Sequence, residues 1–207
     1  MVPHRTCSGS SATGRQMASG TIFVTGAAGG AQGQTGRHVS ELLLAKGAKV
    51  RAFVRKLDER AERLRSLVAD VVVGDLLAYH SVERAVAGVS TVYFAYPVQE
   101  GLLGATAIMA GAARKAGVTR LVDMVMLVSS PDAPTPRMRE NYLSEQIFSW
   151  AGIGASHVRA TVFYENVRAL TAATIARDGT ITYPGEASRP SFPLYRPRMS
   201  RGSRWLS

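Results

Sequence analysis

The sequence predicts an α/β protein built on a doubly wound parallel sheet, and two observations lead to that fold class. From residue 20 onwards, short apolar runs rich in β-branched residues alternate with segments whose apolar residues recur at helical spacing. The chain of 207 residues, with 46% hydrophobic content, can also bury one core of ordinary size. Strands that alternate with helices pair in parallel, and right-handed crossovers then place helices on both faces of the sheet.

Six strands are expected, and each is bounded by a loop or a helical segment. The first apolar run ends in a glycine-rich loop, and the last one precedes a region where a further helix is expected. The predicted strands cover residues 20–25, 48–55, 70–74, 90–95, 119–127 and 156–163.

Helices are expected between these strands, because capping residues and glycine stops frame the intervening segments. Asp58 can cap the second helix, and Thr135 followed by proline can begin the fifth. Gly47, Gly88 and Gly117 each follow a helical segment, where glycine commonly ends a helix. The helical segments lie at residues 39–46, 57–68, 81–87, 99–116, from 135 onwards, and at 166–177.

The two ends of the chain differ in composition from its middle. Residues 1–16 and 185–207 are rich in Ser, Arg, Gly and Pro and show neither a helical nor a strand period. We therefore expect a disordered extension over 1–16 and one folded domain over 17–184. The tail over 185–207 is expected to be disordered and foreign to the fold, as a frameshift would make it.

The net charge of +10 does not favour nucleic-acid binding once its distribution is considered. The two ends carry +2 and +4, so residues 17–184 carry only +4. The basic residues of that middle part are spread along the chain and lack interleaved aromatics that could stack on bases. There is no apolar stretch long enough to cross a bilayer, no secretory signal, and only one cysteine, Cys7. A cytoplasmic protein is therefore expected.

The loop after the first strand carries the main signal for function. Its glycines allow two frames, which are Gly26, Gly29 and Gly33, or Gly30, Gly33 and Gly36. A dinucleotide-binding loop needs a glycine for a tight turn, one that lets the backbone approach the pyrophosphate, and one where the helix packs on the strand. Gly36 lies nearest the start of the helix, which favours the second frame. Backbone amides near Gln34 and Thr35 would then hold the phosphates, and a merely flexible turn is the alternative.

Cations follow the second predicted strand, where an NAD site usually places Asp or Glu against the ribose hydroxyl. Arg55 and Lys56 stand there, and Arg37 follows the glycine loop. Because arginine can pair with a phosphate through two hydrogen bonds, these cations favour NADP(H) over NAD(H). The alternative is that Arg55 and Lys56 form a solvated approach to the next helix, with Asp58 neutralising part of their field.

Two further strand ends could contact the adenosine half of such a cofactor. Asp75 follows the third strand and could either accept a hydrogen bond from the adenine amino group or serve only as a turn residue. Tyr96 and Pro97 follow the fourth strand, where the cofactor would pass. No metal site is expected, since the histidines of the folded part share no spacing typical of metal ligands.

Five segments together resemble one known family. They are, in chain order, VTGAAGGAQGQTGRHV, VRAFVR, VVVGDLL, GVSTVYFAYP and RATVFYEN. Over about residues 20–184 they are similar to the NmrA-like branch of the atypical short-chain dehydrogenases/reductases, which implies a Rossmann fold that binds NAD(P)(H). The resemblance implies that the cofactor is lined by Gly30, Gly33, Gly36, Arg37, Arg55, Asp75 and Pro97. It also matches FYEN, which ends in Asn166, to the segment that runs past the nicotinamide.

The expected proton-transfer residues depart from the pattern of the short-chain dehydrogenases proper. Those enzymes use Tyr-x-x-x-Lys, in which the lysine lowers the pKa of the tyrosine. Tyr142 is the only tyrosine in the corresponding helix, and Gln146 replaces the lysine. Tyr142 is therefore either an acid–base group or a pocket-lining aromatic. Ser129, beside Ser130, could orient a substrate, or the two serines before a proline could form an ordinary turn. Glu145 is either a proton-handling group or a solvated charge.

The resemblance further implies a substrate-side lobe that follows the domain in family members. Here DGTITYPGE is followed instead by the Arg/Ser/Pro-rich tail, so the substrate pocket would be half built and apolar surface near the sixth strand would favour association. The expected function is an NADPH-dependent oxidoreductase acting on a quinone or a small carbonyl. The alternatives are a non-catalytic NAD(P) sensor that acts through a protein partner or as a homodimer, and an inactive truncated product.

Overall fold

A computed structural model gives the structure of the chain. It describes residues 20–30, 34–67 and 69–161, together with residues 163, 172, 176, 177 and 179. The chain divides into two units, Met1–Asn166 and Val167–Ser207, and the fold below belongs to the first. The predictions for the extension, for the tail, for Gly33 and Asn166 and for most of the helix at 166–177 lie outside the described residues.

The described part of the first unit contains a six-stranded sheet, and every neighbouring pair of its strands is parallel. The strand order is β3-β2-β1-β4-β5-β6, so the chain reverses its direction of travel across the sheet between β1 and β4. The doubly wound fold class is thereby confirmed. The strands are β1 (Thr21–Thr25), β2 (Val50–Val54), β3 (Asp70–Val73), β4 (Val89–Phe94), β5 (Arg120–Met126) and β6 (Ala155–Ala160).

Five helices connect these strands, and their ends follow the predicted signals closely. Asp58 caps the second helix by accepting hydrogen bonds from the backbone amides of Arg60 and Ala61, and Thr135 caps the fifth by accepting one from Met138. Both caps are confirmed. The helices are α1 (Thr35–Ala45), α2 (Glu59–Ser66), α3 (Tyr79–Ala85), α4 (Leu102–Lys115) and α5 (Pro136–Trp150).

Three helix starts differ from the sequence prediction. α1 begins at Thr35 and not at residue 39, so Gly36 lies in its first turn. α4 begins at Leu102 and not at residue 99, because Gly101 adopts a left-handed φ of 96° that no helix continues through. α3 begins at Tyr79 and not at Ser81, because the turn after β3 closes earlier. There the backbone amide of Ala78 donates to the carbonyl of Asp75 at 3.1 Å.

Both faces of the sheet are covered by helices. One face carries the larger core, in which Phe94 of β4 packs edge-to-face on Phe148 of α5 with ring centres 5.1 Å apart. On the other face, Val24 of β1 and Leu64 of α2 belong to a smaller core, against which residues of α1 pack. This arrangement leaves the loops at the carboxyl ends of the strands as the place for a site.

Candidate functional site

The carboxyl ends of β1 and β4 lie side by side where the strand order reverses. Thr25, the last residue of β1, links the two strand ends by hydrogen bonds of its buried hydroxyl. Its Oγ1 donates to the carbonyl of Ala95 at 2.9 Å and accepts from the amide of Ala95 at 2.8 Å. In open α/β sheets ligands bind in the crevice at this switch point, so the loops after β1 and β4 form the frame of the candidate site.

The loop after β1 turns at its first two glycines. Gly26 and Gly29 have left-handed φ angles of 63° and 70°, and the amide of Gly29 donates to the carbonyl of Gly26 at 3.0 Å. Residues with a side chain rarely adopt this backbone conformation, so the turn requires both glycines. The frame favoured from the sequence leaves both glycines out of the phosphate-binding set, whereas the structure places them at the corners of the turn.

Gly36 lies where the first turn of α1 crosses the end of β1. A Cβ atom at this position would stand 2.6 Å from the carbonyl oxygens of both Thr25 and Gly26, which are backbone atoms that cannot move aside cheaply. The close approach of helix and strand therefore needs glycine here, as the sequence frame required of its third glycine. At Gly30 a Cβ would meet no atom within 4 Å, so this part of the loop faces open space.

The N-terminus of α1 points its amides out of the loop without a side-chain cap. Gln34 is the N-cap residue, its side chain accepts no hydrogen bond from the helix, and the first turn holds no acidic residue. The first amides of a helix have no partner within it, and the helix dipole makes that end electropositive. By contrast, the side chains of Asp58 and Thr135 cap α2 and α5. The start of α1 is thus a suitable site for an anion.

Two arginines flank the turn on the side of α2. In the part of the chain that the structure describes, the buried Nε of Arg37 has no hydrogen-bond partner. This atom is 3.8 Å from the Glu41 carboxylate, and the Arg37 side chain lies against Gly29. Arg60 donates from Nη1 to the carbonyl of Gly29 at 2.9 Å and from Nη2 to Asp58 at 2.6 Å. The hydrogen bond from Arg60 lowers the pKa of Asp58, which keeps this carboxylate charged.

Arg37 and Arg60 share one shallow cleft between α1 and α2. Sequence reasoning missed Arg60, although its position two residues after the capping Asp58 was a usable signal. Arg55 and Lys56 are exposed directly after β2, and within the described part of the chain neither takes part in an ion pair. The cleft is lined by Arg37, Glu41, Glu59, Arg60, Arg63 and Leu64.

Asp75 is held in a turn at the end of β3. Its Oδ1 accepts a hydrogen bond from the amide of Leu77 at 2.9 Å, and its own amide donates to the hydroxyl of Ser81 at 3.1 Å. The side chain is nevertheless exposed. One carboxylate oxygen of Asp75 therefore serves the turn. The contact of the second oxygen with the adenine amino group stays a prediction.

The loop after β4 is held by an arginine of α5 that sequence reasoning did not single out. Arg137 donates to the carbonyl of Pro97 at 2.9 Å and to that of Gln99 at 3.0 Å. Its guanidinium carbon also lies 5.8 Å from the centre of the Tyr96 ring, and the hydroxyl of Tyr96 donates to the carbonyl of Glu100 at 2.8 Å. Arg137 thus fixes both residues that were predicted to line the cofactor after β4.

An ion pair between a buried carboxylate and a partly exposed arginine lies next to Ser129, after the end of β5. Arg159 of β6 donates to both oxygens of Glu145 at 2.8 and 2.7 Å, and Ser129 donates to the same carboxylate at 3.3 Å. Glu145 is 4% exposed, so the interpretation as a solvated helix charge is wrong. The pair holds the Ser129 hydroxyl proton towards Glu145.

Tyr142 lies one helical turn before Glu145 and is partly buried. Gln146, four residues after it, supplies no positive charge. Arg159 is a cation that interacts with Tyr142. The pKa of Arg159 is raised, mainly by the hydrogen bond to Glu145 and in small part by Tyr142. Since Arg159 is bonded to Glu145 through two hydrogen bonds, most of its charge is already compensated.

The described residues contain no group of three or more His, Cys, Asp or Glu side chains arranged to hold a metal ion. Among their helices, none combines the length and the apolar character that crossing a bilayer requires.

Comparison with known proteins agrees with this geometry. The profile of a family described as NAD(P)H-binding matches residues 30–185. No curated protein sequence matches the chain significantly. The structure of triphenylmethane reductase from Citrobacter sp. is similar, with a TM-score of 0.61 at 24% identity over 74% of this chain and 55% of that one. The same enzyme has been solved in complex with NADP(H).

Two further solved structures have the same fold. One is a nucleoside-diphosphate-sugar epimerase from Staphylococcus aureus, with a TM-score of 0.65 at 18% identity over 75% of this chain and 56% of that one. The other is an NADPH-dependent quinone oxidoreductase from Escherichia coli in complex with NADPH, with a TM-score of 0.63 at 22% identity over 75% and 54%. The chain thus spans about half the length of the structures it resembles.

Proposed function

The chain belongs to the NAD(P)H-binding family, and on that premise we propose that it is an oxidoreductase that uses NADP(H) to reduce a quinone or a small carbonyl. The observation that carries the proposal is the uncapped N-terminus of α1, which lies at the switch point of the sheet beside Arg37 and Arg60. An electropositive helix end next to two guanidinium groups suits a ligand with two separate phosphate groups.

The residues present fit a dinucleotide. Because Gly36 lets α1 pack directly on β1, the helix amides stand close to the strand end, and the open side of Gly30 gives a phosphate room to approach. We assign the pyrophosphate to the amides near Gln34, Thr35 and Gly36, and to the loop around Gly30. By its own chemistry the bound cofactor would supply a hydride at the nicotinamide.

The preference for NADP(H) rests on charge at the adenosine end. The guanidinium group of Arg37 is partly exposed, and within the described residues its Nε has no hydrogen-bond partner, so Arg37 can pair with a phosphate oxygen. Arg60, Arg55 and Lys56 bring further positive charge to the ends of the first two strands. A 2′-phosphate would pair with this positive charge, whereas the ribose hydroxyl of NAD(H) would not.

The remaining assignments follow the path from adenosine to nicotinamide. Asp75, Tyr96 and Pro97 would line the adenosine side, and Gly33 and Asn166 stay as predictions from the resemblance. Ser129 and Tyr142 would face the substrate. Since Ser129 donates its proton to Glu145, its oxygen lone pairs can accept a hydrogen bond from a substrate hydroxyl.

The affinity ratio for the two cofactors tests the proposal. NADPH and NADH are titrated separately into the purified chain, and binding is followed by nicotinamide fluorescence. We expect NADPH to bind about tenfold more tightly or better, as one added charge-assisted hydrogen bond would give. In Arg55→Asp the preference should reverse. An unchanged ratio in that variant, or equal affinities in the wild type, would refute the 2′-phosphate assignment.

A second experiment separates enzyme from regulator. NADPH oxidation is followed by absorbance with a panel of quinones and small aldehydes, and steady turnover supports the reductase. The specific observation that favours a non-catalytic sensor is Gln146, because the amide cannot lower the pKa of Tyr142 as a lysine would. Tight NADPH binding without turnover on any acceptor would favour the sensor, which would act through a protein partner or a homodimer.

A further inference from the structure

A further series of hydrogen-bonded polar side chains lies where the C-terminal end of α5 meets β5 and β6. The Oγ of Ser149 is 3.2 Å from Nε2 of His157, and Nδ1 of His157 is 3.2 Å from Oδ2 of Asp123. The three groups are thus hydrogen bonded in the order hydroxyl, imidazole, carboxylate. The cofactor assignment above uses none of them.

Each of the three groups has the exposure that a nucleophilic site needs. Asp123 lies in the middle of β5, is 1% exposed and pairs in register with His157 on β6. Ser149 is exposed at the last turn of α5. The imidazole of His157 therefore connects a carboxylate shielded from water to a hydroxyl that a ligand can reach. Glu145, the other buried carboxylate nearby, is paired with Arg159.

We propose that Ser149, His157 and Asp123 form a nucleophilic site that hydrolyses small activated carboxylic esters. Ser149 would be the nucleophile and His157 the general base, since the 3.2 Å separation is within proton-transfer reach. Asp123 is a positioning residue, because its carboxylate selects the orientation and tautomer of the imidazole without touching the substrate.

The reaction balances without a cofactor. The Oγ of Ser149 bonds to the ester carbonyl carbon while its proton passes to Nε2 of His157, and the bond to the alcohol oxygen breaks as His157 returns the proton to that oxygen. This leaves an acyl group on Ser149. Water then attacks the acyl carbon and gives a proton to His157, which returns it to the serine oxygen as the carboxylic acid leaves.

The site requires one tautomer of His157. Nδ1 must carry the proton and donate it to a charged Asp123, which leaves a lone pair on Nε2 for the serine proton. Burial raises the pKa of Asp123 to about 8, and the charge of Glu145 adds to the rise. At lower pH the protonated carboxyl can itself donate to Nδ1, which places the imidazole proton on Nε2. The competent tautomer is therefore favoured above about pH 8.

The charged and titratable groups around Asp123 come from β6, α5 and β4. From β6, burial lowers the pKa of His157, and Arg159 stays charged because its pKa is raised by Glu145. From α5, Glu145 accepts two hydrogen bonds from Arg159. From β4, burial raises the pKa of Tyr93, so this phenol stays neutral. Asp123 therefore determines the predicted rise of activity with pH.

Labelling of the full chain tests the nucleophile directly. The protein is treated at pH 9 with a fluorophosphonate probe, the modified peptide is identified by mass spectrometry, and hydrolysis of p-nitrophenyl acetate is measured in parallel. We expect the label on Ser149, and about a tenfold or larger loss of both label and rate in Ser149→Ala. Ser156→Ala, which removes an exposed serine of β6, should keep both. Equal labelling of the two variants would overturn the proposal.

Substitution of Asp123 tests which tautomer of His157 is active. In Asp123→Asn the amide can donate to Nδ1 of His157 and hold the imidazole in the unproductive tautomer, so the rate at pH 9 should fall about tenfold or more. Asp70→Asn, at an exposed carboxylate of β3, should behave as wild type. A wild-type rate and pH profile in Asp123→Asn would contradict the role of Asp123. If that variant does not fold, the comparison of Ser149→Ala with Ser156→Ala decides the proposal alone, since both serines are on the surface.

Discussion

The surroundings of β1 and β2 differ from those of β5 and β6 in how their charged side chains are paired. Beside β1 and β2, Arg37, Arg55 and Arg60 stand at the surface around a helix end that carries no acidic residue. Where α5 packs on β5 and β6, Asp123 and Glu145 are buried, and each faces a basic side chain of β6 at hydrogen-bond distance. The first region holds positive charge that a ligand can neutralise. In the second, Glu145 is paired with Arg159, and burial favours the uncharged form of Asp123 by raising its pKa.

This difference indicates which region binds an anion and which fixes geometry. An exposed guanidinium group gains from an incoming phosphate at little desolvation cost, whereas a buried carboxylate such as Glu145 would lose its partner if a ligand competed for it. We therefore expect changes near α1 and α2 to act mainly on cofactor affinity. Changes between β5 and β6 should act mainly on folding stability.

The largest combined effect is expected from Gly36→Ala, because this change acts on both folding stability and cofactor affinity. The new Cβ would stand 2.6 Å from two backbone oxygens, so α1 must move off β1 and carry its amides with it. We expect a loss of about 2 to 4 kcal/mol in the free energy of unfolding and a loss of NADPH affinity greater than tenfold. Gly30→Ala is the control, because its Cβ meets no atom within 4 Å and should cost little stability. Equal stability of the two variants in urea unfolding would contradict the packing role.

The next effect is the pH dependence that Asp123 gives to stability. Its pKa is raised from 3.8 to about 8 in the folded protein, so the fold favours the protonated form. Stability from this group is complete below about pH 4 and is lost as the pH rises towards 8. Asp123→Asn removes this titration. We expect the variant to gain on the wild type by about 2 to 5 kcal/mol between pH 4 and pH 9 in chemical unfolding. A difference that does not change with pH would show that Asp123 titrates normally.

The smallest of these effects concerns Arg60. Its removal takes away one guanidinium group and one hydrogen bond to the Gly29 carbonyl, so the loop loosens as well as losing charge. In Arg60→Ala we expect NADPH affinity to fall about tenfold and NADH affinity only about twofold. Arg65→Ala removes an exposed arginine of the same helix that pairs with Glu62, and should change neither affinity. Equal losses of affinity for NADPH and NADH would show that Arg60 only holds the loop and does not bind the 2′-phosphate.

Much of the fold could be predicted from the sequence because its signals are local. Asp58 and Thr135 mark helix starts by their own side-chain chemistry, and Gly47 marks the end of α1 with a φ of 75°. The start of α4 could not be predicted in the same way. The predicted helix extends back to residue 99, and only the backbone angle at Gly101 shows where α4 begins.

The candidate site was less predictable because its main contacts join distant parts of the chain. Arg60 reaches the carbonyl of Gly29 across 31 residues, and Asp123 meets His157 only because β5 and β6 pair in register. Spacing along the sequence carries no trace of such contacts. Glu145 could not be assigned for the same reason, since it lies on α5 and its partner Arg159 lies on β6.

Binding of the adenosine half alone is the most direct test of a 2′-phosphate site beside α1. Isothermal titration of the full chain with adenosine 2′,5′-bisphosphate and with 5′-AMP compares two ligands that differ by that one phosphate and need no substrate pocket. We expect the bisphosphate to bind about tenfold more tightly or better, with an advantage that shrinks as salt is added. Equal affinity for the two nucleotides, or an advantage that survives in Arg37→Ala and Arg55→Asp, would contradict the site.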